Sequence, residues 1–123
     1  MGGLSLISVV DDDESVRESL PDLLKELGFA ARAFSSAAEF LSSGDVDLTR
    51  CLILDIAMPE MSGPELQQTL KRRQKEIPII FITGQTDEAV RRRVIEQGAV
   101  ECLSKPFSES ALLNALHRAL RGS

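Results

Sequence analysis

Apolar positions along the chain fall into two alternating rhythms. Short continuous runs read as strands buried in a sheet: Leu6 to Val10, Phe29 to Phe34, Cys51 to Leu54, Ile77 to Ile82 and Val100 to Leu103. Between them, apolar residues recur at helical spacing. Val16, Leu20, Leu23, Leu24 and Leu27 lie 4, 3, 1 and 3 positions apart, one face of a helix that Gly28 ends as a C′ residue. Pro21 stands inside that pattern and predicts a bend, because it lacks the N–H and its ring crowds the preceding turn. Ser36-Ala37-Ala38-Glu39 carries a capping-box pattern and opens a short helix with Phe40 and Leu41 inward, closed near Gly44. Ser62-Gly63-Pro64-Glu65 joins a capping box to an early-helix proline, and Leu66 and Leu70 continue the stripe. Asp87 to Gln97 reads as a helix with Val90, Val94 and Ile95 inward and Gly98 as terminator. Ser108 caps a last helix bearing Leu112, Leu116 and Leu120.

Strands alternating with helices predict an α/β fold, a five-stranded parallel sheet doubly wound by five helices. The strand order 2-1-3-4-5 is one common arrangement, and such a sheet places its binding crevice at the carboxyl ends of its strands.

Composition narrows the partners. The 123 residues suit one domain, and 43% hydrophobic with 27% charged is an ordinary globular balance. A net charge of −5 argues against direct nucleic-acid binding through a general basic field. The longest apolar runs fall far short of the ~20 residues a membrane helix needs, and no stretch at the N-terminus looks like a signal peptide. Cys51 and Cys102 sit inside apolar runs, and with one histidine no Cys/His zinc site can be built. A reducing, cytoplasmic location is expected, and a disulfide is not, since the third and fifth strands are not neighbours in the order 2-1-3-4-5.

The residues that follow the strands carry the chemistry. Asp11 and Asp12 follow the first, Asp55 the third, Thr83 the fourth and Lys105 the fifth. Taken singly, each is an ordinary cap, turn or solvated residue. Taken together, the fold would converge them on one crevice. Three close carboxylates raise one another's pKa values or recruit a cation, and Mg²⁺ suits oxygen ligands of this kind while leaving room for a phosphate. Lys105 adds a second positive centre and Thr83 a hydroxyl. Such a set would bind a phosphoryl group, with Asp55 as a carboxylate nucleophile forming an aspartyl phosphate.

At this point the chain resembles the receiver domain of a two-component response regulator. The matching stretches are Val9-Val10-Asp11-Asp12, Asp55-Ile56-Ala57-Met58-Pro59 with Ser62-Gly63, Thr83-Gly84 and Lys105-Pro106-Phe107. Phe81-Ile82-Thr83-Gly84 and Gly98-Ala99-Val100 look most like the FixJ-type subgroup. The resemblance covers nearly the whole chain, so residues 1–123 are expected to form a single receiver with the flavodoxin-like order 2-1-3-4-5. It implies that Asp55 accepts a phosphoryl group from a phosphohistidine of a sensor histidine kinase. Asp12 would bind Mg²⁺ directly, Asp11 through water, and the backbone carbonyl of Ala57 would complete the protein's share of the metal shell. Lys105 would contact the phosphoryl oxygen, with a cis bond to Pro106, and Thr83 would move toward the phosphoryl group. The signal would leave through the fourth helix, fifth strand and fifth helix, where phosphorylated receivers of this kind also form homodimers. An output domain outside this chain would regulate transcription. The domain would catalyse its own phosphorylation and dephosphorylation and nothing else.

The chain departs from the family pattern in places. Cys102 occupies the position three before Lys105 where the family has Tyr or Phe. Ala57 and Gln85 occupy positions that tune aspartyl-phosphate lifetime, and Pro21 is unusual in the first helix. Two alternatives remain open. A haloacid-dehalogenase-like phosphatase also uses Asp, Mg²⁺, Thr and Lys, but needs a second Asp where Ala57 stands. A degenerate receiver would act only as a protein-binding module. Of the other features, Asp13 reads as a helix-start residue. Arg91-Arg92-Arg93 reads as a solvated face with i,i+4 pairs Glu88–Arg92 and Arg92–Glu96, or as an intersubunit patch. His117 reads as a surface residue, and Met58 and Met61 as loop packing.

Overall fold

A computed structural model describes residues 4–84 and 88–121. Five strands, β1 (Leu6–Val10), β2 (Ala30–Phe34), β3 (Thr49–Asp55), β4 (Ile79–Thr83) and β5 (Glu101–Ser104), alternate with α1 (Glu14–Glu26), α2 (Ala37–Ser42), α3 (Gly63–Arg72), α4 (Glu88–Glu96) and α5 (Glu109–Arg121). A single 3-10 turn, Val46–Leu48, leads into β3. The sheet is parallel throughout in the order β2-β1-β3-β4-β5, the expected arrangement.

Side chains alternate across a strand, so the central strands feed two cores. Cys51 and Ile53 of β3 face one side with Ile7, Val9, Ile80 and Ile82, where α1 contributes Leu20 and Leu24 and α5 contributes Leu112 and Leu116. Leu52 and Leu54 face the other side with Val10 and Phe81, where α2 contributes Phe40, α3 contributes Leu66 and Leu70, and α4 contributes Val94. Both faces being covered explains why these strands read as unbroken apolar runs. It also places Cys51 and Cys102 on opposite faces, and both thiols are free. Burial pushes the Cys51 thiol up to about 12.

Several local expectations shift. β4 begins at Ile79, after Pro78, whose carbonyl accepts from Leu52 N–H at 2.9 Å while its nitrogen has nothing to donate. β3 starts two residues early, at Thr49, which pairs with Leu6 of β1 across a register shift, and the Thr49 hydroxyl bonds the buried Ser8 hydroxyl at 2.7 Å. α1 continues past the buried Pro21, which does not end the helix. At α2 the Ser36 hydroxyl accepts from Glu39 N–H, but the Glu39 carboxylate returns to Ser35 N–H at 2.6 Å instead of to Ser36, so the box closes one residue early. At α3 the box closes reciprocally, with Ser62 N–H donating to Glu65 Oε1 at 2.8 Å and Glu65 N–H to Ser62 Oγ at 3.3 Å. Ile95 corrects the expected inner face of α4: it is 38% exposed, and that helix fully buries only Val94. Asp87, expected to start α4, lies outside the described residues, as does Gln85.

Candidate functional site

The carboxyl ends of β1, β3, β4 and β5 lie side by side at one edge of the sheet, and the expected residues sit on them. Asp11 follows Val10 and its N–H donates to the Phe34 carbonyl at 3.1 Å, extending the β1–β2 ladder by one residue. The Asp11 side chain is fully buried: Oδ1 accepts Asp13 N–H at 2.9 Å and Oδ2 accepts Lys105 Nζ at 2.9 Å. Asp12 beside it is exposed. Asp55 ends β3, 6% exposed. One carboxylate oxygen from each of Asp11, Asp12 and Asp55 lies within 4.8 Å of the others. Asp13 turns away, as expected, and caps α1: its Oδ1 accepts from Ser15 N–H at 2.9 Å and Ser15 Oγ at 2.8 Å, which hold its carboxyl below the usual range.

Lys105 reaches in from the end of β5. Its ammonium is hydrogen-bonded to Asp11 and stands 3.8 Å from Asp55 Oδ1, so Asp11 is its first partner and Asp55 its second. Burial pulls the ammonium pKa down, but the Asp11 hydrogen bond and the charges of Asp55, Asp11 and Asp13 outweigh it and raise it. Lys105 N–H donates to the Thr83 carbonyl at 2.7 Å, which ties the ends of β4 and β5 together, and the Lys105–Pro106 bond is cis as the resemblance implied. Thr83 is half-buried at the end of β4, in register with Ser104. Ala57 is exposed in the loop two residues past Asp55.

Asp55 is the electrostatic focus. Burial raises its carboxyl first, the neighbouring Asp11 charge second, with a smaller contribution from Asp12, against the pull of Lys105, and the carboxyl stands at about 7. A carboxyl so placed is only partly ionised at neutral pH, and a single ammonium does not balance three carboxylates. The donor set is all hard oxygen with one exposed carboxylate open to solvent, which fits Mg²⁺.

The loop after β3 holds this geometry. Ile56 N–H donates to Ile82 O at 3.1 Å, and Gly63 N–H donates back to Ile56 O at 2.9 Å. A Cβ at Gly63 would overlap the Asp55 carbonyl oxygen and stand 2.9 Å from the Phe81 ring, so only glycine lets α3 start here.

Arg17 was not expected at the site. Its Nη1 donates to the Asp11 backbone carbonyl at 3.1 Å. A basic residue in the first turns of a helix, where acidic ones are favoured, was its only signal in the sequence. The arginine cluster on α4 also pairs differently from expectation. Arg91 reaches Glu101 of β5 at 3.5 Å, and Arg118 of α5 reaches the same carboxylate at 2.8 Å. Neither Glu88–Arg92 nor Arg92–Glu96 forms an ion pair among the described residues. Cys102 is buried in register with Phe81, His117 is exposed, and Met58 and Met61 pack against the core beside the loop.

A family model described as the response regulator receiver domain matches residues 7–117. The response regulator protein TodT of Pseudomonas putida is 44% identical over 117 residues, which cover 95% of this chain and 52% of TodT. The transcriptional regulatory protein FixJ of Rhizobium meliloti (strain 1021) is 37% identical over 113 residues, covering 92% of this chain and 55% of that protein. A crystal structure of FixJ-N superposes with a TM-score of 0.87 at 35% identity, covering 100% of this chain and 98% of that one. The chain spans about half the length of the curated relatives it matches. None of these matches supports the phosphatase alternative, and Ala57 offers only a methyl group where that chemistry needs an acid.

Proposed function

The chain belongs to the response regulator receiver domain family, of the FixJ type, and from that premise we propose that Asp55 is the phosphoacceptor of a phosphorylation-dependent signalling switch. The carrying observation is the convergence of Asp11, Asp12, Asp55 and Lys105 at the strand ends, with Asp55 raised to about 7 among them. An Asp55 carboxylate oxygen attacks the phosphorus of a phosphohistidine on a sensor histidine kinase. The P–O bond forms as the P–N bond breaks, and the imidazole keeps the electron pair. Lys105 leaves Asp11 to pair with a phosphoryl oxygen, and Thr83 supplies its hydroxyl to another. Asp12 and Asp55 would hold Mg²⁺ directly, Asp11 through water, with the carbonyl of Ala57 completing the protein's ligands. When bound, the ion neutralises charge on Asp55 and on the phosphoryl oxygens.

The role is signalling and not metabolic: the domain catalyses the gain and loss of its own phosphoryl group. Among the described residues no helix is long and apolar enough to cross a membrane. A cytoplasmic location and an acidic segment without nucleic-acid contacts of its own complete the reading. Residues 1–123 form one receiver whose α4–β5–α5 face carries the signal and pairs two phosphorylated copies. Regulation of transcription would be exerted by an output domain of the longer protein.

Incubation with a small acyl phosphate and Mg²⁺, followed by intact mass and peptide mapping, tests the assignment. One labile phosphoryl adduct on Asp55, absent without Mg²⁺ and absent in Asp55→Asn, is the expected result. The same adduct on an unchanged peptide in Asp55→Asn would refute it.

A further inference from the structure

Helix α4 fully buries one side chain, Val94, and turns Ile95 outward, so apolar packing holds it weakly. Val90 packs partly buried against the core and Arg91 pairs with Glu101 of β5, and a polar seam with α3 adds to these. Gln67 Nε2 donates to the Val94 carbonyl at 3.2 Å. Gln68 Nε2 and Lys71 Nζ both donate to Gln97 Oε1, at 3.0 and 3.1 Å. One bond meets the last turn of α4, and the other two meet Gln97, the residue just after it. The Val94 carbonyl already accepts Ala99 N–H at 3.0 Å, so Gln67 engages the oxygen that closes the helix.

Two features make this seam unlike ordinary core. Gln67 is 3% exposed, yet among the described residues its Oε1 has no hydrogen-bond partner. A buried amide satisfied on its donor side alone is a costly arrangement. Two open clefts of about 460 Å³ flank the seam, and Gln67 and Gln97 line both. Val94 anchors the last turn of α4 in the core, and the seam beside it borders open space.

The other end of α3 rests on Asp55. Gly63 sits so close to the Asp55 carbonyl that no Cβ fits between them, its N–H is bonded to Ile56 O, and the Ser62–Glu65 box fixes the first turn. A continuous ten-residue helix thus runs from the backbone of Asp55 to the seam.

We infer that Gln67, with Gln68, Lys71 and Gln97, forms a latch through which charge added at Asp55 repositions α4. The inference rests on Asp55 being the phosphoacceptor. A displacement of the start of α3 is carried along the helix to the seam. There the unpaired Gln67 Oε1 favours an arrangement of α4 that brings it a donor, and the flanking clefts leave room for that arrangement. Two packings of one seam, biased by one charge, make a two-state element. The latch reaches α4 without passing through Cys102. Gln67 is a positioning residue here, since it touches no reacting atom.

Hydrogen exchange of the whole chain, with and without beryllium fluoride plus Mg²⁺ as the phosphoryl mimic, tests this. In the parent, the mimic is expected to change exchange across residues 88–98 by about fivefold or more, the lower range of an allosteric coupling. Gln67→Leu keeps the volume and removes both ends of the amide. Gln97→Ala removes the shared acceptor from an exposed position, where folding is not at stake. Both variants are expected to keep the parent's response to the mimic around Asp11 to Asp13 and to lose more than half of the response of α4. A full α4 response in Gln97→Ala, or in a folded Gln67→Leu, would overturn the latch. If the parent bound the mimic and α4 did not respond, the latch alone would fall. If the parent bound no mimic, the phosphoacceptor reading would fall and take the latch with it.

Discussion

In metal-free solution the chain is expected to lose stability as pH rises from about 4 to about 7, and Asp55→Asn is expected to abolish that loss. Burial, and then the charge of Asp11, raise the Asp55 carboxyl from 3.8 to about 7 against the pull of Lys105. Between those values the folded chain keeps a proton that the unfolded chain has released. The folded state then binds more protons than the unfolded state, so the free energy of unfolding falls as pH rises. The contribution is full below pH 3.8 and gone above about 7. At about 1.4 kcal/mol per unit that span is worth about 4 kcal/mol. The opening to water beside Asp12 screens the site and reduces the expectation to about 2 kcal/mol. Asp13 and Glu65 act elsewhere on the pH axis. Hydrogen bonds from Ser15 and Ser62 hold both below the usual range, so their stabilisation is present at neutral pH and fades only as pH falls through the acid limb. Urea unfolding followed by circular dichroism at about pH 4.5, 6 and 8, in chelator, measures the effect. The parent should weaken across the series, and Asp55→Asn should stay level and exceed the parent at about pH 8. Mg²⁺ at about a hundred times its dissociation constant should return about 2.7 kcal/mol to the parent at that pH. An Asp55→Asn variant less stable than the parent at about pH 8 without metal would show that Asp55 is comfortably ionised, and the account of the site's charge would be wrong.

Gly63→Ala is expected to cost about 1–3 kcal/mol in urea unfolding, the usual range for overpacking, because its Cβ would collide with the Asp55 carbonyl and the Phe81 ring. A variant as stable as the parent would mean that α3 shifts freely on β3. Neither Cys51 nor Cys102 should react with an aromatic disulfide at about pH 8 in the folded chain, since both are buried and burial raises both thiols, and both should react in guanidinium. Formation of an intramolecular disulfide under mild oxidant without unfolding would contradict their placement on opposite faces of the sheet.

How much of this was legible depended on how local the cause was. Asp11, Asp12, Asp55, Thr83 and Lys105 could be found because each stands directly after an apolar run, and a parallel sheet brings all such positions to one edge. The Ser62–Glu65 box was legible for the same reason, being closed within four residues, while the Ser36–Glu39 box slipped by one because Ser35 offered a competing N–H. Errors gathered where a residue's partner lies in another element. The helical spacing of Ile95 does not reveal that α4 fully buries a single side chain, nor does the pattern of α4 charges reveal that Glu101 of β5 attracts Arg91 and Arg118 together. Lys105 shows the limit inside the site itself. Its place at the strand end was readable, but its preference for Asp11 over Asp55 follows from the complete burial of Asp11, which leaves that carboxylate no water to turn to. Under the proposed reading this resting bond competes with the phosphoryl group: charge added at Asp55 would draw the Lys105 ammonium, which carries three donors, toward a second anion, and a cation beside Asp12 would balance the carboxylates that the lysine no longer balances alone.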